Sequence, residues 1–89
     1  MEGIKNTVRQ YILDRHLAGE PVDQLKDDTP LQTSGILDSL AVLELASYVE
    51  EQFGIELRFA DTTVEQFDRI EQIAAVIARR RLEAGRKAS

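Results

Sequence analysis

Asp38-Ser39-Leu40 is the stretch of this 89-residue chain best placed to do chemistry. Turn-forming residues precede it, ending in Ser34 and Gly35, and an unbroken helical pattern follows from Leu40 to Phe53. A serine where a helix begins has two uses. Its oxygen can cap the helix by accepting a bond from a backbone N–H one turn in. Alternatively, its hydroxyl can face solvent at the positive end of the helix dipole, where an attached phosphate is stabilised. Capping is the commoner role for such a serine, but Asp38 can supply the cap and leave Ser39 as the first helical residue. Both arrangements can hold together, and we read Ser39 as a hydroxyl presented for modification.

Other chemistries find less support. A nucleophilic serine needs a general base, and the single histidine, His16, falls near the end of a first helix. The strand-turn-helix signature Gly-x-Ser-x-Gly is absent. With no cysteine there is no thiolate nucleophile, disulfide or thiolate metal site, and the compartment is not fixed by redox reasoning. Asp23, Asp27 and Asp28 lack the spacing of a calcium loop and read as solvated loop acids. Tyr11, Tyr48, Phe53, Phe59 and Phe67 read as core or half-core aromatics. No catalytic residue and no metal ligand is expected.

Charge narrows the partners. The net charge of −5 divides unevenly: positions 1–78 hold six basic and fifteen acidic residues, a net of −9, while Arg79, Arg80, Arg81, Arg86 and Lys87 crowd the end. An acidic body argues against nucleic acid and suits partners with basic surfaces. The terminal basic run reads as a solvated helix end, where cations are favoured by the dipole. No apolar run approaches the roughly 18 residues of a membrane span, and Met1–Asn6 lacks a signal pattern. A cytoplasmic monomer that binds neither membrane nor nucleic acid is expected.

The elements that must hold the serine follow from periodicity. Ile4, Val8, Tyr11, Ile12 and Leu17 predict a helix over 4–18, stopped by Gly19 with Pro21 beyond. A long loop follows, pinned by Val22, Leu25, Leu31, Ile36 and Leu37, with room for a helical turn at 22–25; loops this long are often functional. The second helix spans 39–53, buries Val42, Leu45, Ala46, Val49 and Phe53, turns Glu44, Glu50 and Glu51 outward, and stops at Gly54 with Ile55 as its apolar contact. Leu40 lies off the buried stripe, beside the serine. Residues 55–59 form an extended connector carrying Ile55, Leu57 and Phe59 to the core. Asp61, Thr62 or Thr63 caps a short helix with Val64 and Phe67. Asp68 caps the last helix, with Glu71 completing a capping box, and Ile70, Ile73, Ala74, Ile77 and Leu82 are its apolar positions. The fold class is all-α: three longer helices, a short third one and a long first loop, as one domain over 1–84 with a frayed tail at 85–89.

Gly35-Ile36-Leu37-Asp38-Ser39-Leu40, an acidic helix and then Phe53-Gly54-Ile55 resemble the carrier-protein family: acyl carrier proteins and the related peptidyl or aminoacyl carriers. The likeness extends from the first helix through Ile77. It implies a right-handed four-helix bundle of acyl-carrier type. It also implies that Ser39 takes 4′-phosphopantetheine from coenzyme A through a phosphopantetheinyl transferase. The thiol of that arm would carry acyl or aminoacyl groups as thioesters. By resemblance Asp38 and Leu40 flank the attachment site, and Leu40, Glu44, Glu50 and Glu51 meet basic partner enzymes. Those partners would be an acyl- or aminoacyl-activating ligase and downstream transferases or synthases. Ala41 stands where carriers of fatty-acid synthesis often have an acid, and the wording of the motif is nearer to stand-alone carriers of specialised pathways. Alternatives are a housekeeping fatty-acid carrier and an unmodified helical module that docks a basic partner through its acidic second helix.

Overall fold

A first helix, α1, occupies Glu2–His16. The computed structural model describes residues 2–17 and 25–88, with side chains described over 3–17 and 25–83. The remaining helices are α2 (Ser39–Phe53), α3 (Val64–Phe67) and α4 (Ile70–Ala88), with a 3₁₀ turn over Phe59–Thr62. No strand forms among the described residues. The expected stop at Gly19-Pro21 and the helical turn at 22–25 fall outside them, Leu25 excepted.

One face of α1 is apolar at helical spacing, and Val8, Tyr11, Ile12 and Leu13 are buried. Leu13, missed by the sequence pattern, widens the stripe. Arg15 and His16 lie in its last turn, at the negative end of the dipole. Both α1 and α3 pack on α4. Ile70, Ile73, Ala74, Val76 and Ile77 give α4 a fully buried face.

The loop between α1 and α2 is pinned as its apolar residues imply. Leu25, Leu31 and Leu37 are buried and Ile36 packs against the same core. A polar tie adds to this. The Asp27 carboxylate accepts from Lys5 Nζ at 3.0 Å and from Arg9, whose Nε also donates to the Leu25 carbonyl. Asp27 therefore ties the loop to α1 and is no free loop acid.

Glycine at 54 ends α2 because its backbone turns left-handed, φ 63°, which costs a glycine little. Its N–H and that of Ile55 both return to the Glu50 carbonyl, and Ile55 is buried. The connector then places Leu57 against the core, but Phe59 is 90% exposed and does not reach it. The cause is the 3₁₀ turn. Asp61 folds inward to accept the Arg58 N–H at 2.9 Å, and this points Phe59 out.

Two expected caps are corrected. Asp61, Thr62 and Thr63 give α3 no side-chain cap bond; Thr63 is its N-cap by position, and its hydroxyl donates to the Ala60 carbonyl. Val64 at the start of α3 is exposed and Phe67 at its end is fully buried. Nor does Asp68 cap α4. Gln72 does that work: its Oε1 accepts the N–H groups of Asp68 and Arg69, both at 3.0 Å. Glu71 is exposed, its side chain makes no hydrogen bond among the described residues, and its backbone N–H goes to the Asp27 carbonyl. The capping-box residue thus lies one position later than the sequence suggests.

Leu82 is 60% exposed and off the core. It stands five residues past Ile77, about 140° round a helix of 3.6 residues per turn. The stripe continues instead at Arg80 and Arg81. Arg80 Nε and Nη2 each reach Asp61 at 2.9 Å, Arg79 Nη2 approaches the same carboxylate at 3.4 Å, and the Arg81 guanidinium lies 5.8 Å from the centre of the Phe53 ring. The basic run is therefore partly folded into the bundle, not a merely solvated end. The backbone of α4 stays helical past Gly85 to Ala88.

Candidate functional site

The segment entering α2 is built from a tight turn. Gly35 has φ 87°, a left-handed conformation suited to glycine, and its N–H closes on the Gln32 carbonyl at 3.1 Å. The Leu37 N–H then bonds the Leu31 carbonyl at 2.9 Å, and both side chains are buried. This fixes where the chain leaves the core.

Asp38 follows in extended conformation as the N-cap, its Oδ1 accepting the Ala41 N–H at 2.8 Å while its carbonyl accepts the Val42 N–H at 2.9 Å. Ser39 is thus the first helical residue, released from capping. Asp38, Ser39 and Leu40 are all exposed. The N–H groups of Ser39 and Leu40 have no helical acceptor and open onto the end of α2. A phosphodiester on the Ser39 oxygen fits here: the hydroxyl reaches solvent, and the backbone terminus beside it carries partial positive charge.

Leu40, Leu43, Glu44, Ser47 and Glu51 share the outward face of α2, all exposed, at helical spacing. Leu40 is 66% and Leu43 61% exposed, so two leucines flank the serine on its C-terminal side. Leu43 was legible as the i+3 neighbour of Leu40 but was not singled out. Glu44 and Glu51 make no ion pair among the described residues. Glu50 differs: it is half-buried, and its Oε2 accepts the Leu57 N–H at 2.8 Å, which anchors the connector. Ala41 is 5% exposed and part of the core, so an acid there would be desolvated.

A shallow groove of about 600 Å³ lies elsewhere, between α1 and α2, lined among others by Gln10, Tyr11, Arg15, Tyr48 and Gln52. Tyr11 and Tyr48 stack there at 4.2 Å. His16 is half-buried at the end of α1, and the groove lining includes neither it nor Ser39.

Three aspartates brace the frame, and each has its pKa lowered. For Asp61 the leading cause is the hydrogen bond from Arg80, and for Asp27 that from Lys5. For Asp68 burial pushes upward most strongly, but bonds from Thr33, Gln32 and Leu31 together outweigh it.

No curated protein matches the chain significantly. A family model described as a phosphopantetheine attachment site matches residues 7–77, most of the chain and the whole of α2. The chain therefore belongs to the phosphopantetheine attachment family, the acyl and peptidyl carrier domains that bear 4′-phosphopantetheine covalently, receive it from a phosphopantetheinyl transferase and serve synthetic enzymes without being catalysts themselves.

Proposed function

We propose that Ser39 is the attachment point and that the chain shuttles aminoacyl or specialised acyl groups, as thioesters, between partner enzymes. The observation that carries this is the exposed Ser39 hydroxyl, freed from capping by Asp38, at the open N-terminus of α2. In the loading step the Ser39 oxygen attacks the pantetheine-bearing phosphate of coenzyme A. A phosphodiester forms, the pyrophosphate bond breaks, adenosine 3′,5′-bisphosphate leaves, and the hydroxyl proton passes to a base of the transferase. When bound, the arm supplies the thiol that this cysteine-free chain lacks.

The chain's own residues do the rest. Leu40 and Leu43 offer apolar contacts beside the serine, and Glu44 and Glu51 offer charge to basic partner surfaces. Such docking speeds encounter and weakens with salt. Partners of this kind are the transferase, an activating ligase and the downstream transferases or synthases. A tethered cargo then reaches each docked enzyme at raised effective concentration.

The test is mass spectrometry after incubation with coenzyme A and a broad-specificity transferase. The wild type should gain one phosphopantetheine and Ser39→Ala none, while Ser39→Ala keeps its stability within about 0.5 kcal/mol because the side chain is exposed. An unmodified wild type, under conditions that load a control carrier, rejects the assignment. For the cargo, the motif wording and Ala41 favour an aminoacyl or specialised acyl group. Loading by adenylating ligases tests this, and acceptance by fatty-acid-elongation enzymes alone would reverse it.

A further inference from the structure

Asp68 follows Ser39 in sequence, between α3 and α4, and is 3% exposed. Its carboxylate collects four bonds from one short stretch of the first loop. Oδ1 accepts the N–H groups of Leu31 at 3.2 Å, Gln32 at 2.7 Å and Thr33 at 3.0 Å, and Oδ2 accepts the Thr33 hydroxyl at 2.9 Å. Three successive backbone N–H groups converge on one anion, a concave arrangement that a negative charge satisfies best. Around it, the Asp68 carbonyl takes the Leu31 N–H at 2.7 Å, and Gln32 Nε2 reaches the carbonyls of Thr62 and Phe67.

The held stretch is the start of the turn that delivers the serine. Gln32 closes that turn through the Gly35 N–H, and Leu31 holds the Leu37 N–H. Leu37 is two residues from Ser39. A continuous set of bonds thus runs from Asp68 through 31–33 and Leu37 to the N-cap of α2. Buried Leu31 and Leu37 alone would hold the loop to the core, but apolar contact is non-directional and does not fix its register.

We propose that Asp68 is a positioning residue for modification of Ser39: its buried anion sets the 31–37 turn and so the presentation of the serine hydroxyl to the transferase. This rests on Ser39 being the attachment point. An asparagine replaces the acid poorly. Its carbonyl oxygen lacks the negative charge that holds three N–H groups on Oδ1, and its amide puts a donor where Oδ2 accepts the Thr33 hydroxyl.

The test compares apo wild type, Asp68→Asn, Thr33→Val, Thr33→Ser and Ile73→Val as transferase substrates, with hydrogen exchange read at the amides of 31–33 and 37. Ile73→Val trims the shared apolar core without removing any hydrogen bond of Asp68 and controls for general loss of stability. Asp68→Asn should speed exchange at those amides and lower kcat/KM for the carrier about tenfold, a size that misplacement of a reacting group readily reaches, with KM for coenzyme A unchanged. Thr33→Val, which keeps the anion and its three backbone N–H bonds, should displace the turn less and lower kcat/KM by a smaller factor, about threefold, and Thr33→Ser should restore it. Wild-type kcat/KM in Asp68→Asn, or an equal fall in Ile73→Val, overturns the proposal. If wild type itself takes no phosphopantetheine, the assignment of Ser39 fails, a result separable from the failure of Asp68 alone.

Discussion

Replacing Asp61 by asparagine should cost this domain a large part of its thermal stability. The carboxylate is 4% exposed as a side chain and Arg80 14%, so the pair sits largely out of water. Two parallel bonds join them, both at 2.9 Å, and the Arg58 N–H adds a third at 2.9 Å. A hydrogen bond to a charged group is worth about 1.5–3 kcal/mol, and breaking a buried ion pair costs about 3–5 kcal/mol. Asparagine keeps an acceptor for Arg58, and Arg80 retains Glu83 at 2.7 Å, so the loss falls toward the lower end, about 2–3 kcal/mol. A domain of 89 residues unfolds with an entropy near 0.19 kcal/mol/K, which converts this to a fall in Tm of about 10–15 °C. Circular dichroism melts of Asp61→Asn at neutral pH check it. The drop should persist in half-molar salt, because buried pairs are poorly screened. A shift below about 3 °C, or one that salt abolishes, would place the pair among exposed ones worth about 0–1 kcal/mol and refute the reasoning.

Acid should unfold the protein through the same braces. Asp27, Asp61 and Asp68 all have folded pKa values below the ordinary 3.8. Their contribution is complete above that ordinary value and is lost as pH falls through the lower folded values. Thermal midpoints from pH 7 downward should hold level to about pH 4 and then drop; in Asp61→Asn/Asp68→Asn the drop should be shallower, and parallel curves would contradict this. Gly54→Ala should cost about 1 kcal/mol in chemical denaturation from the left-handed backbone alone, since an added Cβ at φ 63° meets nothing within 4 Å. A neutral result there would show that the end of α2 relaxes freely.

What was legible in the sequence followed from period and punctuation. The bounds of α2 were fixed by Asp38 before it and Gly54 after it, two residues whose local chemistry has few other outlets. Val42, Leu45, Ala46 and Val49 of its buried stripe followed from spacing alone, as did the exposure of Leu40 and Glu44, whereas Phe53 at the helix end is only half-buried and Ala41 joins the stripe instead. What was not legible depended on which of several short polar side chains wins a contested bond. Asp68 looked like a cap because it stands before an apolar run with Glu71 three residues on, yet it faces the first loop because three N–H groups more than thirty residues away converge there. Glu50 looked outward by helical phase, but the connector folds back over it and supplies the Leu57 N–H. Phe59 read as core through strict alternation, and a 3₁₀ turn nucleated by Asp61 broke that alternation. Each miss is a polar contact overriding an apolar or capping pattern, over a few residues at Asp61 and Glu50 and over more than thirty at Asp68.

These contacts divide the acids into two populations with different consequences for docking. A chain this short buries only about two thirds of its unfolded surface, so its connecting segments need fastening beyond the apolar core. Asp27, Asp61 and Asp68 supply it, holding the first loop and the 3₁₀ turn, and in doing so they engage Lys5, Arg9, Arg79 and Arg80. These four cations are thereby committed to the frame's own carboxylates and leave the outer acids less offset. Along α2 there are three glutamates and no basic residue, with Glu44 and Glu51 facing solvent. The negative field on the serine's helix is thus a consequence of how the basic residues are used elsewhere. Neutralising Asp61 would remove one negative charge, leave Arg80 paired with Glu83 and free Arg79 of that carboxylate, and so weaken the field without touching α2 itself.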